Sequence, residues 1–344
     1  MFSTHLIAAP PAQRVDWVDY AKGICIILVV MMHAVNGVEY LFDEQGWMHP
    51  IIDFARPFRI PDFFLVAGLF LSRSIHAPLA DYLDRKVVHF IYFYVLWLTL
   101  QLPVLEFDAL VSHPGYVLKL WFVHMLAIFY VVTRLLRNVP VWIVFAGAFI
   151  LQSLYQLVLI DTGWGVIDRF ANRYVYFFMG YAFAPQIFRF AGRAAKAPWT
   201  GALGLLAWGI LNWWAVSLAL HEEVVASFIL GIAGATAVCV VSALLTRFRA
   251  ADFLRYCGRH SIVIYLTYAF PLVAMERLVL PAIGAPFGDV GLASALTLTF
   301  AVALPLAFHA LIRGTPLNFL YVRPDWASLS GSERGKRRAA LSAK

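Results

Sequence analysis

Two ionisable residues lie in the first apolar stretch of the chain, DYAKGICIILVVMMHAVNG, which runs from Asp19 to Gly37. Eleven residues separate Lys22 from His33, which is three helical turns plus about 20°, so both side chains lie on one face of a helix. A histidine can accept a proton near neutral pH, as a general base must when a hydroxyl attacks a carbonyl carbon. The spacing predicts a path from a cation to a base about 16 Å farther along the helix.

Each residue of this pair also has a purely structural explanation. Lys22 can snorkel to a membrane interface, and His33 can be a neutral packing residue with hydrogen bonds. A charged side chain in hydrocarbon costs about 2.5–3.5 kcal/mol on insertion scales, so ionisable residues inside a membrane usually face a cavity or a pathway. We therefore favour a functional role for His33 and leave snorkelling open for Lys22. Asp19 lies one turn before Lys22.

The composition indicates that these residues belong to a polytopic membrane protein. Of the 344 residues, 62% are hydrophobic and 14% are charged, with a mean hydropathy of +0.75. Apolar runs recur that are long enough to cross a core of about 30 Å as helices, and they are continuous rather than alternating. We predict an all-α bundle of about ten transmembrane helices, near residues 20–38, 56–73, 87–105, 116–133, 139–160, 170–188, 199–219, 224–246, 259–281 and 289–312.

The basic residues predict the orientation of this bundle. Of the 27 Lys and Arg residues, 21 fall on the side shared by both termini, so the positive-inside rule predicts that both termini are cytoplasmic. The net charge of +7 then needs no nucleic-acid partner. We predict a multi-pass protein of the inner (plasma) membrane, with a transmembrane domain over 1–320. Residues 321–344 form a basic tail, predicted to be disordered and drawn to anionic membrane lipids.

The cysteines and histidines indicate neither a disulfide framework nor a metal site. The three cysteines lie within or at the ends of predicted spans and form no CxxC pair. The ten histidines show no ligand spacing such as HxxxH. We predict no metal.

Other polar residues sit where an apolar bundle would not place them by default. Arg59 and Asp62 are spaced for an i to i+3 ion pair at the membrane edge, but Arg59 can equally orient a substrate beside His33. Arg169 and Arg173 are four residues apart at the start of the sixth span. We favour interfacial anchoring for Arg169 and function for Arg173. His124 is more often a packing residue, although it could share a cavity.

The motifs along the chain resemble acyltransferase family 3, whose members are integral-membrane enzymes that transfer acyl groups from acyl-CoA to hydroxyls of extracytoplasmic glycans. The first helix has the family order of an Asp, a basic residue and a His, with Lys22 in place of the usual Arg, as in the fucose acetylase-like branch. Further resemblances follow in the family's order, and many relatives have a His at or beside Tyr268. They lie in FRIPDFFLVAGLFLSRS, DYLDRKVVHFIYFYVLW, LWFVHMLAIFY and GRHSIVIYLTYAFPL.

The resemblance implies an O-acyltransferase, and we expect an O-acetyltransferase that uses acetyl-CoA as donor and has no tightly bound cofactor. The acceptor would be an extracytoplasmic glycan or a lipid-linked saccharide. The implied roles are catalysis for His33 and Asp19, donor binding for Lys22 and Arg85, and substrate binding for Arg59, Asp62, Trp121, His124 and Arg173. The alternative from another class is a transporter or exporter of a glycan or small anion, in which the same residues line a passage.

Overall fold

The computed structural model describes residues 15–101, 120–329, 331, 332 and 334, and within these ranges the chain forms helices and no strands. The predicted all-α class is therefore confirmed for the described residues. The α-helices are α1 (Asp16–Phe42), α2 (His49–Ala55), α3 (Arg59–Gly68), α4 (Leu79–Leu83), α5 (His89–Gln101), α6 (Trp121–Leu135), α7 (Val141–Gln156), α8 (Gly165–Ala182), α9 (Ala184–Lys196), α10 (Pro198–Ser217), α11 (Val224–Phe248), α12 (Asp252–Arg259), α13 (Ser261–Thr267), α14 (Ala269–Ala274), α15 (Leu280–Ile283) and α16 (Val290–Ile312).

Two helical turns are widened into π-helix. Asp84–Val88 joins α4 to α5, and Met275–Val279 joins α14 to α15. Such widened turns rotate the following residues relative to a regular helix and are frequent at functional sites.

Four helical segments of the described chain are long and apolar enough to cross a membrane. They are Asp16–Phe42, Val224–Phe248, Ser261–Ile283 and Val290–Ile312. The count of about ten spans and the cytoplasmic termini remain predictions. The end of the predicted third span and the start of the fourth fall in residues 102–119, outside the described ranges.

Helix α1 packs against α3, α11, α12 and α16. Its contact with α12 is backbone to backbone, because a Cβ at Gly258 would lie 1.6 Å from the Asp19 carbonyl oxygen, and one at Gly23 would lie 1.9 Å from the Leu254 oxygen. Only glycine permits such an approach. Two arginines of α12 complete the contact, because Arg255 binds Asp16 and Arg259 binds both Asp16 and Asp19 of α1. We call this region the Lys22 end of the bundle.

Helices α3 and α8 make a second close contact. A Cβ at Gly68 would lie 2.2 Å from the Phe177 oxygen, and a Cβ at Gly180 would lie 2.0 Å from the Leu65 oxygen. Phe129 of α6 packs on Phe177, at 5.3 Å between ring centroids. The α3–α8 pair is thereby held together over about one turn, and this contact also sets the level of the residues that precede it.

The C-terminal segment is held against the start of α5 at the Lys22 end. The buried Arg323 donates from Nη1 and Nη2 to the two carboxylate oxygens of Asp84, at 3.2 and 2.5 Å. Asp84 also accepts from the Leu329 backbone N–H at 2.8 Å, and Arg334 binds Asp325 at 2.6 Å. Part of the predicted tail is therefore docked, whereas the domain boundary at 320 and disorder farther along the tail stay predictions.

This docking changes the acidity of Asp84. Burial acts to raise its pKa, but the hydrogen bonds from Arg323 and from the Leu329 backbone outweigh that effect. The pKa of Asp84 therefore lies below its ordinary value, as expected for a carboxylate that accepts several hydrogen bonds.

Candidate active site

A cavity of about 250 Å³ lies beside the first half of α1. Its polar lining residues are Lys22, Lys86 and Ser261, and the rest of its lining is aromatic and aliphatic. The apolar lining residues are Phe63, Val66, Ala67, Phe70, Phe90, Phe122, Leu126, Tyr130, Ile262 and Tyr265. Concave apolar sites with a few placed polar groups are the usual form of small-molecule sites in proteins.

The two lysines of this cavity each face an aromatic ring. The Nζ of Lys22 lies 5.9 Å from the Phe70 ring centroid, and the Nζ of Lys86 lies 4.7 Å from that of Tyr130. Cation–π contact orients each ammonium group without neutralising it. The cavity therefore presents two cations to one space, which suits an anionic group such as a phosphate.

Of the neighbouring basic residues Arg85 and Lys86, Lys86 lines this cavity and Arg85 does not, so a donor-binding part for Arg85 stays a prediction. Arg85 is exposed, whereas the half-buried Lys86 faces the cavity together with Phe90, one turn later. A periodicity signal was present in the sequence, because Lys86, Phe90, Phe93 and Trp97 recur at the spacing of one helical face. The π-helical turn at Asp84–Val88 obscures that signal locally.

His33 lies beyond the cavity, at its aromatic end. Its ring centroid is 5.5 Å from that of Tyr268, which is 6.3 Å from that of Tyr265. Tyr265 lines the cavity, and its hydroxyl accepts a hydrogen bond from the Phe122 backbone N–H at 3.1 Å. Two tyrosines thus connect the cavity with the exposed imidazole. The sequence analysis did not assign a role to either tyrosine, although the resemblance pointed to Tyr268.

A carboxylate also lies one helical turn beyond His33. Glu276 in the second π-helical turn contacts α1 so closely that a Cβ at Gly37 would lie 1.7 Å from its Oε1. This oxygen is buried and has no hydrogen-bond partner among the described residues. No local pattern in the sequence indicates this contact, because it depends on how α1 and the Ser261–Ile283 segment pack.

Asp19 is bound at the Lys22 end and is separated from His33 along the helix. Its Oδ2 accepts from Arg259 Nε at 3.2 Å. Fourteen residues separate Asp19 from His33, which corresponds to about 21 Å along α1. The structure therefore gives Asp19 a visible part in joining α1 to α12, and a catalytic part stays a prediction.

Asp62 contacts α1 rather than Arg59. The fully buried carboxylate accepts from the Cys25 thiol at 2.8 Å, and no Arg59–Asp62 ion pair forms in the described part of the chain. The spacing rule fails because Arg59 stands at the first turn of α3 and turns back toward α2, where its Nη1 lies 3.5 Å from the Ile52 oxygen. A substrate-binding part for Asp62 stays a prediction.

The level of Arg59 along α1 can be read from its contact with Ile52. Ile52 packs with Met31 and Val35 of α1, which places Arg59 level with the middle of that helix. Met31 and Val35 are each two residues from His33, about 160° around the helix. Arg59 is thus nearer to that face of α1 than to the face of His33.

Trp121 and His124 gather on α6 with Arg169 of α8. The Arg169 guanidinium lies 5.4 Å from the Trp121 ring centroid, and the His124 ring packs edge-on against Tyr94 at 5.1 Å. Both ring nitrogens of His124 are buried and have no hydrogen-bond partner among the described residues. Arg169, which the sequence analysis favoured as an anchor, therefore joins the predicted substrate-binding residues.

Comparison with known proteins identifies the family. Residues 15–309 match the family model of the acyltransferase domain of acyltransferase family 3. The chain belongs to acyltransferase family 3. The matched model is that of an acyltransferase domain, and it covers most of the chain. The predicted family is confirmed, and membership favours an enzyme over the transporter alternative.

A curated relative shares one part of the chain. Inner membrane protein YcfT of Escherichia coli (strain K12) is 29% identical over 87 residues, a match that covers 22% of this chain and 24% of that protein. The prediction of a multi-pass protein of the inner membrane agrees with this name and with the apolar helices. No solved structure matches the chain.

Proposed function

We propose that this protein is an O-acetyltransferase that moves an acetyl group from cytoplasmic acetyl-CoA to a hydroxyl of an extracytoplasmic glycan or lipid-linked saccharide. The observation on which this rests is a cavity lined by two lysines and by Tyr265, which packs against Tyr268, the residue that contacts His33. Family membership supports the acyl transfer, while the donor, the acetyl group and the acceptor belong to the proposal.

The donor side follows from charge. CoA carries phosphates, and the ammonium groups of Lys22 and Lys86 can make charge-assisted hydrogen bonds to them. The rest of the donor is a thin chain that ends in a thioester, which suits the apolar part of the cavity. The excess of basic residues on the side of the termini assigns this mouth to the cytoplasm.

The reaction itself needs a base at the acyl carbon. His33 accepts the proton of the acceptor hydroxyl while its oxygen attacks the thioester carbonyl carbon. The C–S bond then breaks, and the proton passes to the departing sulfur to give free CoA. A second route uses His33 as the nucleophile, so that a transient acyl-imidazole is attacked by the hydroxyl. Both routes use the same residue and yield the same products.

The test uses purified protein oriented in vesicles, with labelled acetyl-CoA on the side of the C-terminal segment and a cell-envelope glycan extract on the opposite side. We expect label to enter the glycan and an equal amount of CoA to be released. Absence of both, while the extract itself crosses the vesicle membrane, would favour the transporter instead. Transfer that requires both substrates on one side would leave the acetyltransferase standing and remove the transmembrane route.

A further inference from the structure

The side chain of Arg59 is buried and has few hydrogen-bond partners. Only 9% of the residue is exposed, and its Nε has no hydrogen-bond partner among the described residues. Its contact with the Ile52 oxygen, at 3.5 Å, is at the limit of a hydrogen bond. Arginine keeps its charge in proteins, so it cannot relieve this burial by losing a proton.

A second arginine lies at the same level. Helices α3 and α8 run in the same direction, because Leu65 meets Gly180 and, farther along both segments, the Phe70 ring lies 5.7 Å from that of Phe188. Following both helices back by two turns brings Arg59 level with Arg173 of α8. The positive charges of Arg56 and Arg173 both act on Arg59, and Arg173 makes no ion pair or hydrogen bond within the described ranges.

The nearest carboxylate is already engaged. Asp53 binds Arg56 at 2.6 Å and His49 at 3.3 Å, and His49 also binds Glu39 at 2.6 Å. Two guanidinium groups that act on one another thus lie in the protein, one buried and one partly buried, while Asp53 serves other partners. A buried charge of this kind is costly unless an opposite charge accompanies it, which indicates that an anion belongs between them.

Groups that can bind hydroxyls lie beside Arg173. Tyr176, three residues after Arg173 on one face of α8, accepts a hydrogen bond at its hydroxyl from Gln152 Nε2 at 2.8 Å. The remaining amide oxygen of Gln152 is buried without a partner among the described residues, and so is that of Asn172. Amide oxygens accept hydrogen bonds from hydroxyl groups. The region therefore combines two cations with free acceptors, as a charged saccharide requires.

We propose that Arg59 and Arg173 bind an oxyanion of the acyl acceptor, so that the acceptor is an anionic saccharide rather than a neutral one. The inference rests on the proposed function, because it names the substrate class of the same enzyme. The anion binds on the side of α1 away from His33 and anchors the acceptor remotely from the reacting hydroxyl. The oxyanion can be a phosphate, as in a lipid-linked saccharide, or the carboxylate of an acidic sugar.

The test compares three probes with matched variants of the purified full-length chain. Glucose 1-phosphate, glucuronic acid and glucose are titrated while the melting temperature (Tm) is recorded, because a ligand that binds the folded state raises Tm. We expect the two charged sugars to raise Tm and glucose to have no effect. The charged sugar with the larger effect identifies the source of the oxyanion.

Arg59→Gln and Arg173→Gln should each weaken binding of the charged sugars about 10–100-fold, as expected for loss of a hydrogen bond to a charged group. Their Tm without ligand should equal or exceed that of the wild type, because an unpaired buried charge is removed. Arg56→Gln is the control, since Arg56 is 52% exposed and already paired with Asp53. Its response to the sugars should remain that of the wild type.

Three results would overturn the inference. They are an equal response to glucose, no response of the wild type to any probe, and unchanged responses in the Arg59 and Arg173 variants. A fall of the ligand-free Tm in both variants with the sugar response retained would mark the two arginines as structural. Release of CoA from acetyl-CoA, measured in the same preparations, reports separately on the proposed function, so failure of one does not imply failure of the other.

Discussion

At the Lys22 end of the bundle, Arg255, Arg259 and Arg323 each bind a carboxylate, whereas Arg59 and Arg173, near the middle, bind none within the described ranges. The first group joins segments that are distant in the sequence, such as α1 to α12 and the C-terminal segment to α5. The second group joins nothing that the structure describes. Arginines that bind a carboxylate of the protein hold its segments together. We interpret arginines without such a partner as a binding site for a ligand.

The largest expected effect is on the proposed reaction at His33. His33→Ala should lower the rate of acyl transfer about 10²–10⁴-fold, as is usual for loss of a general base. Expression and membrane insertion should be near normal, because α1 remains apolar. The measurement is CoA release and glycan labelling in vesicles. A wild-type rate of transfer in this variant would show that the reaction does not depend on His33.

The next effect tests the paired charges. Asp84→Asn leaves the buried Arg323 without its counter-charge, so we expect a local loss of stability of about 3–5 kcal/mol. Hydrogen exchange of residues 320–334 should report this loss as faster exchange. The double variant Asp84→Asn, Arg323→Gln should recover part of it, because no unpaired charge then remains. Equal exchange in the wild type and both variants would contradict the pairing rule.

The same pair predicts a dependence on pH. The pKa of Asp84 in the folded protein is lowered. The contribution of its carboxylate to stability is therefore complete above the pKa of an unfolded aspartate, about 3.9. It is lost as pH falls through the lower folded value. Exchange of the C-terminal segment should therefore stay slow from neutral pH to about pH 5 and accelerate below about pH 4. Loosening already at pH 6 would point to another titrating group.

A smaller effect is expected at the donor cavity, which two lysines line. Lys22→Ala and Lys86→Ala should each weaken acetyl-CoA binding about 10–100-fold. Lys22→Arg should retain or improve it, since arginine adds a second hydrogen bond to a phosphate. Arg85→Ala is the matched control because Arg85 is exposed, and it should change affinity less than twofold. Equal donor affinity in all these proteins would remove both lysines from the site.

The smallest perturbation tests the orientation of the two regions. The three native cysteines are buried, so single exposed cysteines can be placed at Glu44, Asp161 and Ala250 with little background. An impermeant thiol reagent should label Glu44→Cys and Asp161→Cys from outside the cell and Ala250→Cys only after the membrane is opened. Labelling of the first two only from the cytoplasm would reverse the predicted topology.

The parts of this site that the sequence revealed are those governed by one helix. Lys22 and His33 could be placed on a common path because α1 is regular from Asp16 to Phe42. Arg59 and Arg173 could be singled out because an apolar sequence rarely places arginine inside a span. In each case the signal was a residue type that conflicts with its immediate surroundings.

The remaining features depend on contacts between helices and on departures from regular geometry. Asp62 binds Cys25, a residue 37 positions away, so the local spacing suggested the wrong partner. Lys86 faces the cavity instead of Arg85, next to a π-helical turn that a regular repeat does not predict. The level of Arg59 along α1 follows from its contact with the short helix α2, which falls between two predicted spans.

The regular geometry of helix α1 fixes a distance within the site. It runs for 27 residues from Asp16 to Phe42 with no proline and no π-helical turn, and glycine contacts fix its first turns against α12. The rise between Lys22 and His33 is therefore set at about 16 Å by helical geometry alone. The helix therefore cannot change the distance between Lys22 and His33 to suit its donor. Whatever spans that interval must be long enough by itself, so shortening the donor cannot be compensated by the protein.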